Sequence, residues 1–371
     1  MKVICEKDKA LEGVRIAQNA ITSATLPILS HLLLSAKQKR VEVTATNLET
    51  TICSFFEATV EEEGSICLPG EKLYSILREL PPGKFSFETD NTKSFIRMDK
   101  ISFTLVGISS EEFPEVPPEA KTIFSMPQST FQEILVKTMF SAGQDEVRQN
   151  LNCVLLEALF EKEEKPSLRA VTTDGRRLSW ITVPYPSISE PFKILIPLKA
   201  ARELTKILSS EGDIEIGLEE NRAFFKTSRF SFFSQLMEAK FPDYRGVIPK
   251  DYKVRFEVER DNFIAAIKRV SLLSEQQSRL VRFHLEEDLL DITAASAGVG
   301  TALEKLPVKT EGEIRKIEIS FNAAFLLEAL RVMEGDVIEI RLIDQESPGV
   351  FYPKTHRNYM HILMPVKLRE E

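Results

Sequence analysis

The sequence predicts an α+β chain of three repeated domains, and three sets of internal echoes predict it. The segments "LPGEKLYSILREL" (68–80), "IPLKAARELTKIL" (196–208) and "ISFNAAFLLEALR" (319–331) begin 128 and 123 residues apart. The phrase "FPEVP" (113–117) returns 128 residues later within "FPDYRGVIP" (241–249). Alternating runs with a polar turn between them recur at 84–98, 213–227 and 336–352. Prolines stop helices and central strands, so phrases rich in them punctuate a chain. Several echoes at one spacing are poorly explained by chance. The units that follow are 1–118, 119–249 and 250–371.

Each unit opens on a helix: "DKALEGVRIAQNAI" (8–21), "STFQEILVKTMFSA" (129–142) and "DNFIAAIKRVSLLS" (261–274). Asp8, Ser129 and Asp261 are the expected N-caps, each supplying an oxygen to the first-turn amides. The second helix of each unit carries an apolar stripe. Leu73, Ile76, Leu77 and Leu80 form the first, Ala201, Leu204 and Leu208 the second, and Ala324, Leu327 and Leu330 the third. The alternating runs predict antiparallel strands with one buried face, and "VEVTATN" (41–47), "LRAVTTDG" (168–175) and "LLDITAAS" (289–296) add a further set.

At 371 residues, with 43% apolar and 28% charged side chains, the chain has the length and composition of a multi-domain globular protein. Its apolar runs are too short to span a bilayer. "MKVICEKDK" is not an apolar signal run, so a cytosolic location is expected. Cys5, Cys53, Cys67 and Cys153 are scattered without a CxxC pair, and the histidines lack a ligand frame, so no disulfide, metal or cofactor is expected.

The net charge of −8 argues against coating nucleic acid by bulk attraction, but not against a local basic surface. Lys199, Arg202 and Lys206 fall on one helix face opposite the apolar stripe. Arg15, Lys72, Arg78, Lys137, Lys268, Arg269 and Arg331 lie on the other repeated helices. For any one of them a solvated helix face is the plainer account. As a set, such faces suit the phosphates of duplex DNA held without sequence readout.

No nucleotide loop, nucleophile elbow or dinucleotide fingerprint is present, so no catalytic residue is expected. Asp174 in "TTDGRRLSW" (172–180) is better read as a tight turn at a strand end than as a nucleophile.

The chain resembles the bacterial sliding clamp family, the beta subunit of DNA polymerase III. The landmarks are "TLPILSHLLL" (25–34), "TNLE" (46–49), "EFPEVP" (112–117), "QDEVRQNLN" (144–152), "TDGRRL" (173–178), "FPDYRGVIPK" (241–250) and "MPVKL" (364–368). Their order and spacing cover the whole chain. The resemblance implies a head-to-tail homodimer of three clamp domains per subunit. The six-domain ring would have helices lining its hole and antiparallel sheets outside. It implies a ring that encircles duplex DNA and tethers the polymerase III catalytic subunit. The clamp loader and other polymerases and repair proteins would use the same short-motif pocket, with no membrane involved.

Carried over residue by residue, that pocket is Leu151, Thr173, Gly175, Arg176, Arg177, Leu178, Pro242, Val247, Ile362, Met364, Pro365, Val366, Lys367 and Leu368. Lys72, Arg78, Arg148 and Lys199 are the expected phosphate contacts. Phe103 and Leu105 are expected to meet Leu272 and Leu273 of a second subunit. Ser23 stands where well-known members carry a DNA-contacting arginine. Gln149 and Asn150 replace an aromatic pair, and Gly246 replaces a basic residue. Arg176 holds a position that is often histidine. Glu304 alone supplies the expected acidic rim in 297–305. The competing readings are a peptide-binding adaptor that does not encircle DNA and an enzyme built around Asp174.

Overall fold

The computed structural model describes residues 1–22, 26–144, 146–160, 165–313 and 316–366. Ser23, Lys367, Leu368 and the terminal 369–371 lie outside the described residues, as does the side chain of Gln149. The chain divides into two compact units, one of residues 1–131 with 202–236 and one of 132–201 with 237–371.

The first unit holds a twelve-stranded antiparallel sheet. Its main path runs Ile101–Val106, Lys93–Met98, Lys84–Asp90, Lys2–Glu6, Thr50–Glu62, Phe230–Gln235, Arg222–Lys226, Asp213–Glu219 and Thr122–Pro127. Strands Arg40–Thr46, His31–Lys37 and Gly64–Pro69 branch from Thr50–Glu62. Helices α1 (Lys7–Ala17) and α2 (Gly70–Glu79) belong to this unit. Leu73 and Leu77 of α2 are buried, as their stripe predicts.

In the second unit a nine-stranded sheet runs Lys193–Pro197, Cys153–Leu159, Ser167–Thr173, Arg177–Pro184, Tyr359–Leu363, Gly349–Pro353, Val337–Leu342, Val254–Glu259 and Lys309–Gly312. A four-stranded sheet joins Gly300–Pro307, Leu289–Ser296, Leu280–Glu286 and Lys316–Asn322. Helices α3 (Gln128–Met139) and α4 (Leu198–Ile207) each run through a unit division, whereas α5 (Arg260–Val270) and α6 (Ala323–Val332) lie within the second unit.

Compact units and sequence repeats divide the chain differently, and the backbone ladders give the reason. Phe230–Gln235 of the middle repeat pairs with Thr50–Glu62 of the first, in the register Phe230↔Ser54. Arg177–Pro184 pairs with Tyr359–Leu363 of the third, in the register Leu178↔Ile362. Each joint between repeats is thus a continuous sheet, which leaves no unpaired edge there.

Two expectations need correction. The first helix of each repeat begins straight from a strand, so Asp8, Ser129 and Asp261 sit inside the first turn rather than at the cap. In α5 the capping oxygens come from Glu259, which accepts from the amides of Asp261 at 3.2 Å and Asn262 at 2.7 Å. The stripe of α6 is also shifted. Ala323, Leu326, Ala329 and Leu330 are buried, while Ala324 and Leu327 are half-buried. "AAFLLEAL" is apolar nearly all round, so its pattern leaves the face undecided. The Asn322 cap, accepting from the amides of Ala324 and Phe325 at 2.9 and 3.2 Å, fixes where the helix starts.

Candidate functional site

The repeated phrase at 241–249 covers one face of the nine-stranded sheet. Leu178, Val350, Met360 and Ile362 are buried on that face together with Phe241 and Tyr244. Tyr244 is the anchor. Its hydroxyl donates to the carboxylate of Glu157 and accepts from Arg169 Nη1 at 3.2 Å and Arg245 Nε at 3.3 Å. Its ring meets Trp180 edge-on at 6.0 Å, and Arg169 stacks over Trp180 at 4.0 Å. Burial, then the Glu157 carboxylate, push the Tyr244 phenol above its ordinary pKa. Asp243 accepts from the amide of Arg245 at 3.3 Å, capping the short turn that follows.

Where this segment leaves the sheet, a cleft of about 470 Å³ opens. Ten expected residues line it: Leu151, Thr173, Gly175, Arg176, Arg177, Leu178, Pro242, Val247, Ile362 and Met364. Val247 is 51% exposed and Met364 42%, so the cleft offers two large apolar side chains to whatever fills it. Pro365 and Val366 are half-buried and do not line the cleft. The amide of Val366 donates to Ser320 O at 2.8 Å, which ties that stretch to strand Lys316–Asn322.

The turn at 174–177 forms one rim. Asp174 Oδ1 accepts from the amides of Arg176 at 2.9 Å and Arg177 at 3.0 Å, and Oδ2 accepts from Arg177 Nε at 2.9 Å. Asp174 is therefore a turn residue with both oxygens engaged. Gly175 has φ +86°, and a Cβ there would lie 3.2 Å from Arg148 Nη1. Glycine meets both demands.

Arg177 is buried beneath the cleft. It donates to Asp174, to the Glu328 carboxylate of α6 and to Phe140 O at 2.7 Å, and it stacks on Phe325 at 4.0 Å. With its nitrogens engaged this way, it shapes the cleft from below.

The expected phosphate-binding residues fall into two groups. Lys72 and Arg78 on α2 and Lys199 on α4 are exposed, as are Arg202 and Lys206 beside Lys199. Arg78 pairs with Glu79 at 3.1 Å. Arg148 is exposed and lines the cleft. Other helix cations are taken up within the chain. Lys137 is buried between Glu133 at 2.6 Å and Glu334 at 2.9 Å. Arg15 pairs with Glu12 at 2.8 Å, and Arg269 Nε with Glu304 at 2.9 Å.

Phe103 and Leu105 are half-buried on the edge strand Ile101–Val106 of the first unit. In the second unit Leu272 is 81% exposed and Leu273 half-buried. Leu272 lines a pocket of about 370 Å³ with Ala324 and Leu327, which accounts for the partial exposure of those two.

Sequence reading missed Asn150, Asp243 and Tyr244 as cleft walls and missed that Arg148 lines it too. The available signal was the aromatic inside "FPDYRG", with Glu157 and Arg169 paired across two strands of the sheet it covers. Among the described residues no cluster of His, Cys, Asp and Glu could hold a metal ion, and no helix is long and apolar enough to cross a membrane.

Family models of the DNA polymerase III beta subunit match the chain in three consecutive pieces. They are the N-terminal domain over residues 1–117, the central domain over 125–243 and the C-terminal domain over 245–367. The beta sliding clamp of Caulobacter vibrioides is 28% identical over 376 residues, covering 99% of this chain and 100% of that one. That of Pseudomonas putida is 30% identical over 350 residues, 93% of each chain. The crystal structure of the Bacillus subtilis DNA polymerase sliding clamp superposes with a TM-score of 0.93 at 27% identity, covering 100% of both chains. The Thermotoga maritima DNA polymerase III beta subunit gives 0.91 at 27%, covering 99% of this chain and 100% of that one.

Proposed function

The chain belongs to the DNA polymerase III beta subunit family, and from that premise we propose that it is a DNA sliding clamp, a processivity factor. Its three clamp domains are taken as 1–118, 119–249 and 250–371. Two copies associate head to tail into a ring around duplex DNA. Strand Ile101–Val106 of one copy meets strand Gly300–Pro307 of the other, with Phe103 and Leu105 seated at Leu272 and Leu273. Apolar burial is the main adhesive, because Glu304, the expected acidic rim, is already paired with Arg269.

Topology then replaces affinity. A closed ring cannot leave DNA sideways, so Lys72, Arg78 and Lys199, with Arg202 and Lys206, need only weak contacts to phosphates. Weak, sequence-blind contacts permit sliding. The ring holds a polymerase at high effective concentration near the primer end. Bond formation belongs to the polymerase, so the clamp itself carries no catalytic residue.

The observation that carries the reading is the cleft beside Val247 and Met364, an apolar hollow on a sheet face. It suits a short Leu- or Phe-bearing motif, and Met364 adapts to different partners. The polymerase III catalytic subunit, the clamp loader and repair proteins dock there in turn. Pro365 and Val366 extend the motif's track beyond the cleft.

The alternative is an adaptor that uses the cleft without encircling DNA, favoured by the thinned acidic rim, where Glu304 is paired with Arg269, and by the replaced DNA-loop residues. Sedimentation equilibrium across a dilution series separates the two. The clamp predicts a dimer that Leu273→Ala splits; a monomer at every concentration favours the adaptor.

A further inference from the structure

Five side chains lie in one row across the nine-stranded sheet. Leu178 pairs with Ile362, Ile362 with Val350, Val350 with Arg341, and Arg341 with Arg255. The row begins on the cleft floor and ends in a basic, aromatic patch. There Arg341 stacks between Tyr252 and Tyr352, 4.9 Å from each ring. Arg357 lies 5.8 Å from Tyr352.

One carboxylate fixes this patch. Glu339, fully buried, accepts from Arg341 Nε at 2.6 Å and from Arg357 Nη1 and Nη2 at 3.1 and 2.6 Å. Arg255 Nη1 stands 3.5 Å away, and its other terminal nitrogen donates to Glu311. Three guanidiniums thus face two carboxylates, a local cationic excess in a chain of net charge −8. Arg341 spends only Nε on Glu339. Among the described residues nothing accepts from its two terminal nitrogens, the pair that grips an oxyanion side by side. Tyr252 is 43% exposed beside them.

We infer that this patch is a second contact for the peptide that fills the cleft, and that it takes an acidic side chain of that peptide. The inference rests on the cleft binding a motif peptide. Two inter-strand steps of about 4.8 Å put Arg341 roughly 10 Å from Ile362. Val350, between them, is buried under segment 241–249, so the peptide passes over that cover and spans the gap in about three to five residues. The partner therefore carries Asp or Glu about three to five residues from the apolar side chain seated on Leu178 and Ile362. Arginine and tyrosine held in place before binding lose little side-chain freedom on contact, which favours them as anchors.

The test is fluorescence anisotropy on the full chain with three labelled Leu/Phe-motif peptides. One carries Asp at the third to fifth residues before the motif's apolar residues, one carries Asp at the third to fifth residues after, and one has Asn at all those places. One acidic peptide is expected to bind about five-fold tighter than the Asn peptide, the upper range for an exposed ion pair. Arg341→Lys, which keeps charge but loses the fork, and Tyr252→Ala should each abolish that preference while the Asn peptide binds as before. Equal binding of all three peptides, or a preference that survives both variants, would overturn the inference and leave the cleft reading intact. Loss of duplex-DNA affinity in the two variants, with the peptide preference unchanged, would assign the patch to nucleic acid instead. If no peptide binds at all, the cleft reading itself fails, and this inference with it.

Discussion

Arg177 and Glu328 form an ion pair that ties the turn beneath the cleft to helix α6. The guanidinium is buried and the carboxylate half-exposed, so the two substitutions differ in cost. Arg177→Ala leaves Asp174 without its cationic partner and Phe140 O without its donor, and should cost about 3 kcal/mol. Glu328→Gln keeps the shape and should cost about 1 kcal/mol, because solvent screens that side. Urea denaturation of both variants checks the ranking.

Gly175 should resist substitution for two independent reasons. Its φ of +86° disfavours any side chain, and a Cβ would crowd the tip of Arg148, which must shift to make room. Gly175→Ala is expected to cost about 1 kcal/mol in stability. It should also displace Arg148 and weaken peptide binding, which isothermal titration would register.

Tyr244→Phe removes one hydroxyl that serves Glu157 and Arg169 together. Both partners are buried, so leaving them unsatisfied should cost about 1–3 kcal/mol. Segment 241–248 should loosen over the sheet, and its amides should exchange faster with deuterium than in the wild type.

His361 makes stability depend on pH. Burial, reinforced by the nearby Arg177 charge, pushes its pKa down from 6.5 to about 3. In the fold it stays neutral, with Nδ1 within 2.9 Å of Ser179 Oγ. The unfolded chain takes up the proton first, so stability falls as pH drops from 6.5 toward 3, by up to about 1.4 kcal/mol per pH unit. His361→Gln should flatten that part of the acid limb in urea titrations; an unchanged slope would contradict the assignment.

Duplex-DNA affinity should depend steeply on salt. Lys199→Ala is expected to reduce the slope of log affinity against log salt by about 0.9, one phosphate contact fewer. The reduction should be the same for unrelated DNA sequences.

Much of this was legible in the sequence. Alternation at 213–227 and stripes such as Leu73 with Leu77 reveal elements because burial imposes their period. The landmarks of the family resemblance located ten cleft residues. Other features lie beyond what a pattern carries. Lys137 reads as one more helix cation, yet folding brings Glu334 to it from nearly 200 residues away. Tyr244 reads as one aromatic in a loop, and only the sheet beneath gives it Glu157 and Arg169. The cap from Glu259 was hidden because the helix starts directly off a strand.

The central claim is that two copies enclose DNA, and retention on a circle tests it most directly. The protein is placed on a nicked circular duplex with a bacterial clamp-loading complex, freed of unbound protein, and the circle is then cut. The account predicts that the clamp stays on the circle in moderate salt and runs off once the DNA is linear. Equal retention before and after cutting, or no retention on the circle, would contradict it.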